Sequence, residues 1–514
     1  MKNYTIRFMK ALIRHFLLAV SFLTVLLPWS QKLHGESPKR EMRGVWLATV
    51  WGIDWPSVSG TTPEIRKKQM AQLTDILDRC ESMNLTSVFF QVRGMSDVMY
   101  ESSLEPWSSF VSGKRGVSPG WDPLKFVVEE CHRRGLECYA WVNPFRWSAG
   151  TDYNSEQDRE WKRRGWLLTH GKYTVLNPGI EEVRQHIVGI CREIVTGYDV
   201  DGLVFDDYFY PNRIPEDASA ADHGLWREQA PWMDFGDWRR ANVHKTIADV
   251  HCMLLDCCPE VRFGISPAGV AGKPHTSAPK WGMESCGVKA DDWQYKEIYS
   301  DPLGWLFQNT IDFISPQIYW PTTHATAPYG PLAQWWSEAA SLYGCHFYSS
   351  MTLAPLEKTD TPEQRRELLR QVETNRRHSV TGEFGSVLYS AKFLPKLASE
   401  LSSGHFASKS LTPELRRSWH SRPDTPIDAV CRNGVLRWSD DRRTTGEGRR
   451  RYAVYAFPRH LGEDEIMDAG GDGIKSEYLL RVVYDCQTAV PAGLAYAVTA
   501  LSGNSLESEP VFVR

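Results

Sequence analysis

The sequence predicts an α/β protein, a (β/α)8 barrel followed by a C-terminal β-sandwich. Three observations carry that reading. Between about residues 41 and 400, eight short apolar runs alternate with helical patterns. Most of the runs show no polar alternation, as befits parallel strands buried on both faces. Beyond about residue 423 the pattern changes to short runs rich in β-branched and aromatic residues, joined by Gly/Asp-rich turns. The chain has 514 residues, 42% of them hydrophobic and 24% charged, which is enough for two or three domains with buried cores.

The chain opens on Lys2, Arg7, Lys10 and Arg14, an apolar run over residues 16–27, and a polar stretch containing Gly35, Glu36 and Ser37. This is the layout of a secretory signal peptide, assigned to residues 1–35. It implies an exported mature protein, periplasmic or associated with the cell envelope. No cysteine follows the run before Cys80, which argues against a lipoprotein. No other stretch is long and apolar enough to cross a membrane.

The barrel is assigned to residues 39–400. Its strands are expected at 44–50, 87–92, 137–142, 202–205, 262–265, 313–319, 346–351 and 386–389. Thr62-Pro63-Glu64 opens a helix with a capping hydroxyl, a proline in the first turn and an acid near the dipole. Its inward stripe is Ile65, Met70, Leu73, Ile76, Leu77 and Cys80. Thr361-Pro362-Glu363-Gln364 repeats the device with a capping-box glutamine. A third helix over 183–195 puts Val183, Ile187, Ile190 and Ile194 on one stripe. The span exceeds the ~250 residues usual for such a barrel, and the surplus follows the second to fifth strands, on the face that carries active sites. A polar linker over 401–422 leads to the β-sandwich over 423–514.

Composition narrows the function. Lys+Arg 59 against Asp+Glu 63 leaves a net charge of -4, which argues against a basic surface for nucleic acid. No GxGxxG, Walker A or GxSxG motif is present, so dinucleotide, P-loop and serine-hydrolase readings lack support. No HExxH stands in the sequence and the histidines are dispersed, so neither metal nor cofactor is called. The 11 cysteines are scattered and read mostly as small buried apolar residues. The 21 Trp, 20 Tyr and 20 Phe suit a cleft that stacks on flat faces such as those of sugars.

Candidate chemistry gathers at the strand ends. The fourth strand runs directly into Asp206-Asp207-Tyr208-Phe209-Tyr210. A carboxyl kept protonated by apolar or like-charge surroundings is what acid catalysis of glycosidic cleavage requires. Asp207 is read as the acid, Asp206 as its brace, and Asp97 after the second strand as the first choice for the partner carboxylate. Asp54, Asp291, Asp292 and Glu357 are the other choices. Substrate contacts are expected from Trp46, Trp51, Asp54, Arg93, Tyr100, Trp141, Asn143, Arg146, Tyr208, Tyr210, Gln317, Tyr319 and Trp320, rings interleaved with forked polar groups. Two rival functions are a non-catalytic glycan-binding or envelope-scaffolding protein, and a metal-dependent carbohydrate deacetylase.

These motifs also occur together elsewhere. Glu41-Met-Arg-Gly-Val-Trp46, Asp54-Trp55-Pro56, Glu105-Pro106-Trp107, Trp121-Asp122-Pro123, Trp141-Val142-Asn143-Pro144, Asn177-Pro178-Gly179 and Phe205-Asp-Asp-Tyr-Phe-Tyr-Pro211 resemble the bacterial glycosyl hydrolase-like 10 family. Asp301-Pro302-Leu-Gly-Trp305 and Ser315-Pro-Gln-Ile-Tyr-Trp320 extend the likeness across about residues 39–395. The resemblance implies a TIM-barrel glycoside hydrolase, commonly exported or lipid-anchored. Some members are similar to an enzyme that cuts peptidoglycan glycan strands stripped of their stem peptides. It implies that the family aspartates after the fourth strand are Asp206 and Asp207. The paired glutamates of xylanases are not matched, since the seventh loop offers only Glu357. Residues 499–510 resemble the last hairpin of a fibronectin type III domain.

Overall fold

Eight parallel strands close into one barrel in the computed structural model, which describes residues 38–514 except 381, 383, 416–421, 441–449, 469, 470 and 472. The expected signal peptide and part of the expected linker lie outside the described residues. The strands are β1 (Met42–Leu47), β2 (Ser87–Arg93), β3 (Glu137–Val142), β4 (Gly202–Phe205), β5 (Arg262–Ile265), β6 (Phe313–Ile314), β7 (His346–Thr352) and β8 (Phe384–Tyr389). They pair in sequence order, and β8 closes on β1 through Trp46 opposite Tyr389. Helices α1 (Pro63–Ser82), α2 (Pro123–Arg133), α3 (Glu181–Gly197), α4 (Phe235–Cys257), α5 (Pro302–Phe307), α6 (Tyr329–Leu342), α7 (Pro362–His378) and α8 (Ala398–Ser403) follow the strands in turn.

The helix signals act as their chemistry predicts. The Thr62 hydroxyl accepts from the Ile65 N–H at the start of α1, and Thr361 and Gln364 form a reciprocal capping box on α7. In α1 the expected stripe is buried at Leu73, Ile76, Leu77 and Cys80, whereas Ile65 and Met70 are only half-buried.

The barrel interior is packed with rings. Phe89, Tyr139, Phe313 and Tyr348 from β2, β3, β6 and β7 form one buried layer with Met42, Val204 and Val387. Glycines on neighbouring strands make the room. A Cβ on Gly202 would lie 2.2 Å from the Tyr139 ring, and one on Gly264 would lie 2.3 Å from Phe313. This filled interior leaves only the strand ends for a site.

Two strands differ from expectation. The first strand stops at Leu47 because the Gln91 side chain takes the Thr49 and Val50 N–H groups at 3.0 and 2.9 Å, turning the chain into a 3-10 turn. The sixth is regular only over Phe313–Ile314, since Pro316 offers no N–H to the ladder. Gln317 still bridges to Ala268 and Ser350 on either side.

The loop after β3 carries its own antiparallel sheet, Arg146–Ala149, Leu167–His170 and Tyr173–Leu176. Beyond the barrel, β9 (Ile427–Arg432), β10 (Val435–Ser439) and β13 (Gln487–Ala489) form a three-stranded sheet. Strands β11 (Arg451–Pro458), β12 (Leu479–Val483), β14 (Leu494–Leu501) and β15 (Val511–Val513) form a four-stranded one. Leu436, Trp438, Val454 and Val498 share one core there, and Leu411, Tyr455, Phe457 and Ile466 another. All 11 cysteines are free, six of them buried.

These sheets meet the end of the barrel where the strands begin. Arg451 reaches Glu137 at the start of β3, with N to O 2.5 Å, and Thr412 donates to the same carboxylate at 2.7 Å. Arg262 at the start of β5 donates to Ser505 and to the Pro413 carbonyl. The Tyr484 ring stacks on His132 at 4.0 Å, while its hydroxyl lies 3.2 Å from Asp201. The other end of the barrel stays open.

Candidate active site

Two adjoining cavities lie over the strand C-termini. The inner one, about 170 Å³, sits on the barrel axis among Trp46, Gln91, Trp141, Asp206, Tyr319 and Tyr389. The outer one, about 490 Å³, extends over the insertion after β3 and includes Lys172, Tyr173, Asp207, Tyr210 and Trp293. Trp51, Arg146, Tyr208 and Gln317 line both, so the cavities form one cleft.

Strand β4 delivers the carboxylates. The Asp206 N–H still bonds the Val142 carbonyl at 3.2 Å, and the chain then leaves the sheet. Past the strand end, side-chain alternation no longer applies. Asp206 faces the inner cavity and Asp207 the outer, rather than one of them turning away. Asp206 is 7% exposed, and its Oδ1 accepts the Asp207 N–H at 2.9 Å and the Gln317 amide at 3.4 Å. Gln317 is held by a second bond to the Ser266 carbonyl at 3.1 Å.

Burial sets the protonation of the pair. Burial first, then the neighbouring Asp206 carboxylate, push Asp207 well above the usual carboxylate range. Burial also raises Asp206, against hydrogen bonds from Asp207 and the charge of Arg146. Two such groups titrate as a pair. Burial also raises Tyr208 and Tyr319, and pushes Tyr389 up to about 12, so these phenols remain proton donors.

Aromatic side chains build the walls. Trp46 donates to Ser350 Oγ at 2.9 Å, and the Tyr319 hydroxyl meets the same oxygen at 3.3 Å. Tyr319 stacks on Tyr389 with centroids 5.9 Å apart. Trp51 is 56% exposed at a left-handed φ of 55°, a conformation rarely adopted by a bulky residue. Its ring and that of Tyr208 flank Arg146.

Of the expected contacts, Trp46, Trp51, Trp141, Arg146, Tyr208, Tyr210, Gln317 and Tyr319 line the cleft. The others support it from behind. Arg93 is buried on Glu105 and the Asn143 and Pro144 carbonyls. Asn143 bonds the Trp141 indole at 3.1 Å and the Gly94 carbonyl at 2.9 Å, which orients that ring. Tyr100 packs on Tyr198, and Trp320 lies beside His324 with its carbonyl bonded by Gln371. Asp54 accepts from Ala48, Ser390 and Lys392, which ties the first loop to the eighth.

The partner-carboxylate reading needs correction. Arg115 holds Asp97 at 3.2 Å, the Met95 N–H bonds its other oxygen, and it lines neither cavity. The other choices are engaged elsewhere too. Asp291 meets His275 and Glu357 meets Lys392. Asp292 is buried under Thr276 and the Gly272 N–H, and burial pushes it up to about 7. Among the described lining residues, Asp206 and Asp207 are the carboxylates.

Several lining residues were not expected. Tyr389 ends β8, so the strand-end rule that selected Trp46 would have found it, and Gln91 lies two residues before the end of β2, in the run that supplied Arg93. Lys172, Tyr173 and Trp293 sit on loop insertions, where no periodicity marks an inward direction. Among the described residues, no three His, Cys, Asp or Glu side chains converge to hold a metal ion.

Known proteins share this chain's pattern. Glycosyl hydrolase YngK of Bacillus subtilis is 32% identical over 447 residues, 83% of this chain and 84% of that protein. Glycosyl hydrolase DigH of Escherichia coli is 37% identical over 323 residues, 59% of this chain and 71% of that protein. Among solved structures, the PgaB glycoside hydrolase domain of Bordetella bronchiseptica is similar at a TM-score of 0.45 and 14% identity, covering 70% of this chain and 98% of that domain. The family model described as glycosyl hydrolase-like 10 matches residues 41–364, a span that runs from the start of β1 into α7 and takes in Asp206 and Asp207. With that span and the relation to YngK, the chain belongs to the glycosyl hydrolase-like 10 family.

Proposed function

We propose that the protein is an exported glycoside hydrolase that cleaves O-glycosidic bonds in a polysaccharide, with denuded peptidoglycan glycan strands as its substrate. One observation carries the reading: two adjacent carboxylates at the end of β4 face an aromatic cleft, and burial and its neighbour raise the outer one well above the usual carboxylate range. The family and the relatives named glycosyl hydrolase support it. The leader-like residues 1–35 support export, which N-terminal sequencing of the processed protein tests. The C-terminal sheets act as a fibronectin type III-like spacer on the closed end of the barrel.

In this mechanism, sugar rings stack along Trp51, Tyr208 and Trp293. Asp207 gives its proton to the leaving oxygen as the glycosidic bond breaks, and Asp206, ionised and fixed by Gln317, opposes the positive charge that develops at the anomeric carbon. Water then adds to that carbon and its proton returns to the Asp207 carboxylate, which restores the acid. Different surroundings thus give two carboxylates two roles. Purified protein incubated with denuded glycan strands and a panel of plant and host glycans should release new reducing ends. Binding to strands with no release from any member of the panel would assign the protein to the glycan-binding class instead.

A further inference from the structure

Arg146 takes no direct part in the acid step, although its charge favours the ionised form of Asp206. Its residue is 6% exposed, yet among the described residues the guanidinium donates no hydrogen bond. Arg43, Arg93 and Arg239, also buried, are each locked on a carboxylate at 2.5 to 2.7 Å. Arg146 is instead held by rings, its guanidinium carbon 4.9 Å from the Trp51 centroid and 4.2 Å from that of Tyr208. Rings over a guanidinium occupy its faces and leave the N–H edge as the route of approach. Arg146 lines both cavities.

The charge around it points the same way. Lys172 is exposed on the outer cavity wall, its ammonium 5.3 Å from the Tyr173 centroid, and no ion pair holds it among the described residues. Burial and the neighbouring Asp206 push Asp207, the carboxyl lining that cavity, well above the usual carboxylate range. The outer cavity therefore presents two cations, Arg146 and Lys172, beside a carboxyl that resists ionisation. A buried fork of donors approached in its own plane is matched by a carboxylate, which it can bind bidentately.

We propose that Arg146 reads a carboxylate on the substrate sugar beside the bond being cut, with Lys172 as a weaker outer contact. This rests on the glycoside hydrolase reading and names the substrate class of the same site, an acid-bearing glycan. Two sources share that chemistry, the lactyl ether acid of denuded peptidoglycan and the uronic acid of a polyuronate.

The test measures binding, so that it stands apart from turnover. The Asp207→Asn protein is titrated with denuded peptidoglycan strands and with polygalacturonate, each native and after reduction of its carboxyls to primary alcohols. The native form of one polymer should bind about 10-fold or more tighter than its reduced form, the worth of a charge-assisted hydrogen bond. The polymer that shows the preference identifies the source. The preference should shrink at high salt. Adding Arg146→Met should abolish it, Arg146→Lys should restore only part, and Lys172→Met should lower it about 2- to 3-fold. Equal affinity for native and reduced forms of both polymers overturns the proposal. So does an undiminished preference in folded Arg146→Met. A carboxyl preference without hydrolysis by the unmutated protein would instead reject the hydrolase reading and leave this one in place.

Discussion

At the closed end of the barrel Glu41, Glu137 and Asp201 are buried beside cations; at the open end Asp206 and Asp207 are buried beside each other. Burial alone would raise Glu41, Asp201, Asp206 and Asp207. At the closed end Arg43 and Arg376 outweigh burial at Glu41, and His132 and Arg451 outweigh it at Asp201, so both fall below the usual range. At the open end burial and like charge add, and Asp207 rises. A carboxyl is thus shifted down or up according to the neighbour it meets. The difference lies in the partner supplied: Arg451 comes from the C-terminal sheets, whereas the open end provides one uncommitted guanidinium. The closed end pairs its buried charges, and the open end sets its two carboxyls against each other.

Substitutions that exchange these roles test the contrast, and the largest effect falls on the open end. Asp207→Asn keeps the shape and removes the proton, so kcat should fall about 10²–10⁴-fold while the melting temperature holds or rises. Next, Arg451→Met strands the buried Glu137 carboxylate and should cost about 3–5 kcal/mol in denaturant unfolding, with kcat per folded molecule unchanged. A kcat loss in Arg451→Met matching that of Asp207→Asn would remove the division between the two ends. The pH dependence of stability has opposite signs. Asp201, Glu41 and Glu507 are lowered on folding, so their contribution is present above the ordinary carboxylate range and is lost as pH falls through their depressed values. Asp207 is raised, so its contribution is present below that range and is lost as pH rises through its elevated value. The stability gained by Asp207→Asn should therefore be greatest at neutral pH and vanish below about pH 4, where both proteins are neutral at this position. A pH-independent gain would mean that charge burial is not its cause. The smallest effect is at the rim of the closed end: Tyr484→Phe loses the hydroxyl's contacts with Asp201 and the Leu136 carbonyl and should cost about 1 kcal/mol.

The sequence was most legible where local chemistry decides the outcome. Proline and capping residues fixed the starts of α1 and α7, and unalternating apolar runs located the barrel strands. The carboxylate pair was legible because a buried strand led straight into it. Legibility failed where a long-range partner decides. Gln91 ends β1 by capturing two backbone N–H groups, and no local pattern in residues 44–50 signals that. Asp97 and Asp207 look alike as acids after barrel strands, and only the position of Arg115, eighteen residues beyond Asp97, separates a braced carboxylate from a free one. Arg93 and Arg146 show the same ambiguity. One meets Glu105 and is structural; the other meets two rings and stays open to the cleft.

The central claim is that the Asp206–Asp207 pair holds a proton at neutral pH and spends it on a glycosidic oxygen. Its most direct test is the pH dependence of reducing-end release from denuded glycan strands, measured as kcat/KM for the unmutated protein, Asp206→Asn and Asp207→Asn. The account predicts an alkaline limb above the ordinary carboxylate range in the unmutated protein. The limb should move to lower pH in Asp206→Asn, because the like charge that raises Asp207 is gone, and only a small residual rate should remain in Asp207→Asn. Full activity in Asp207→Asn, or an alkaline limb that Asp206→Asn leaves in place, would contradict it.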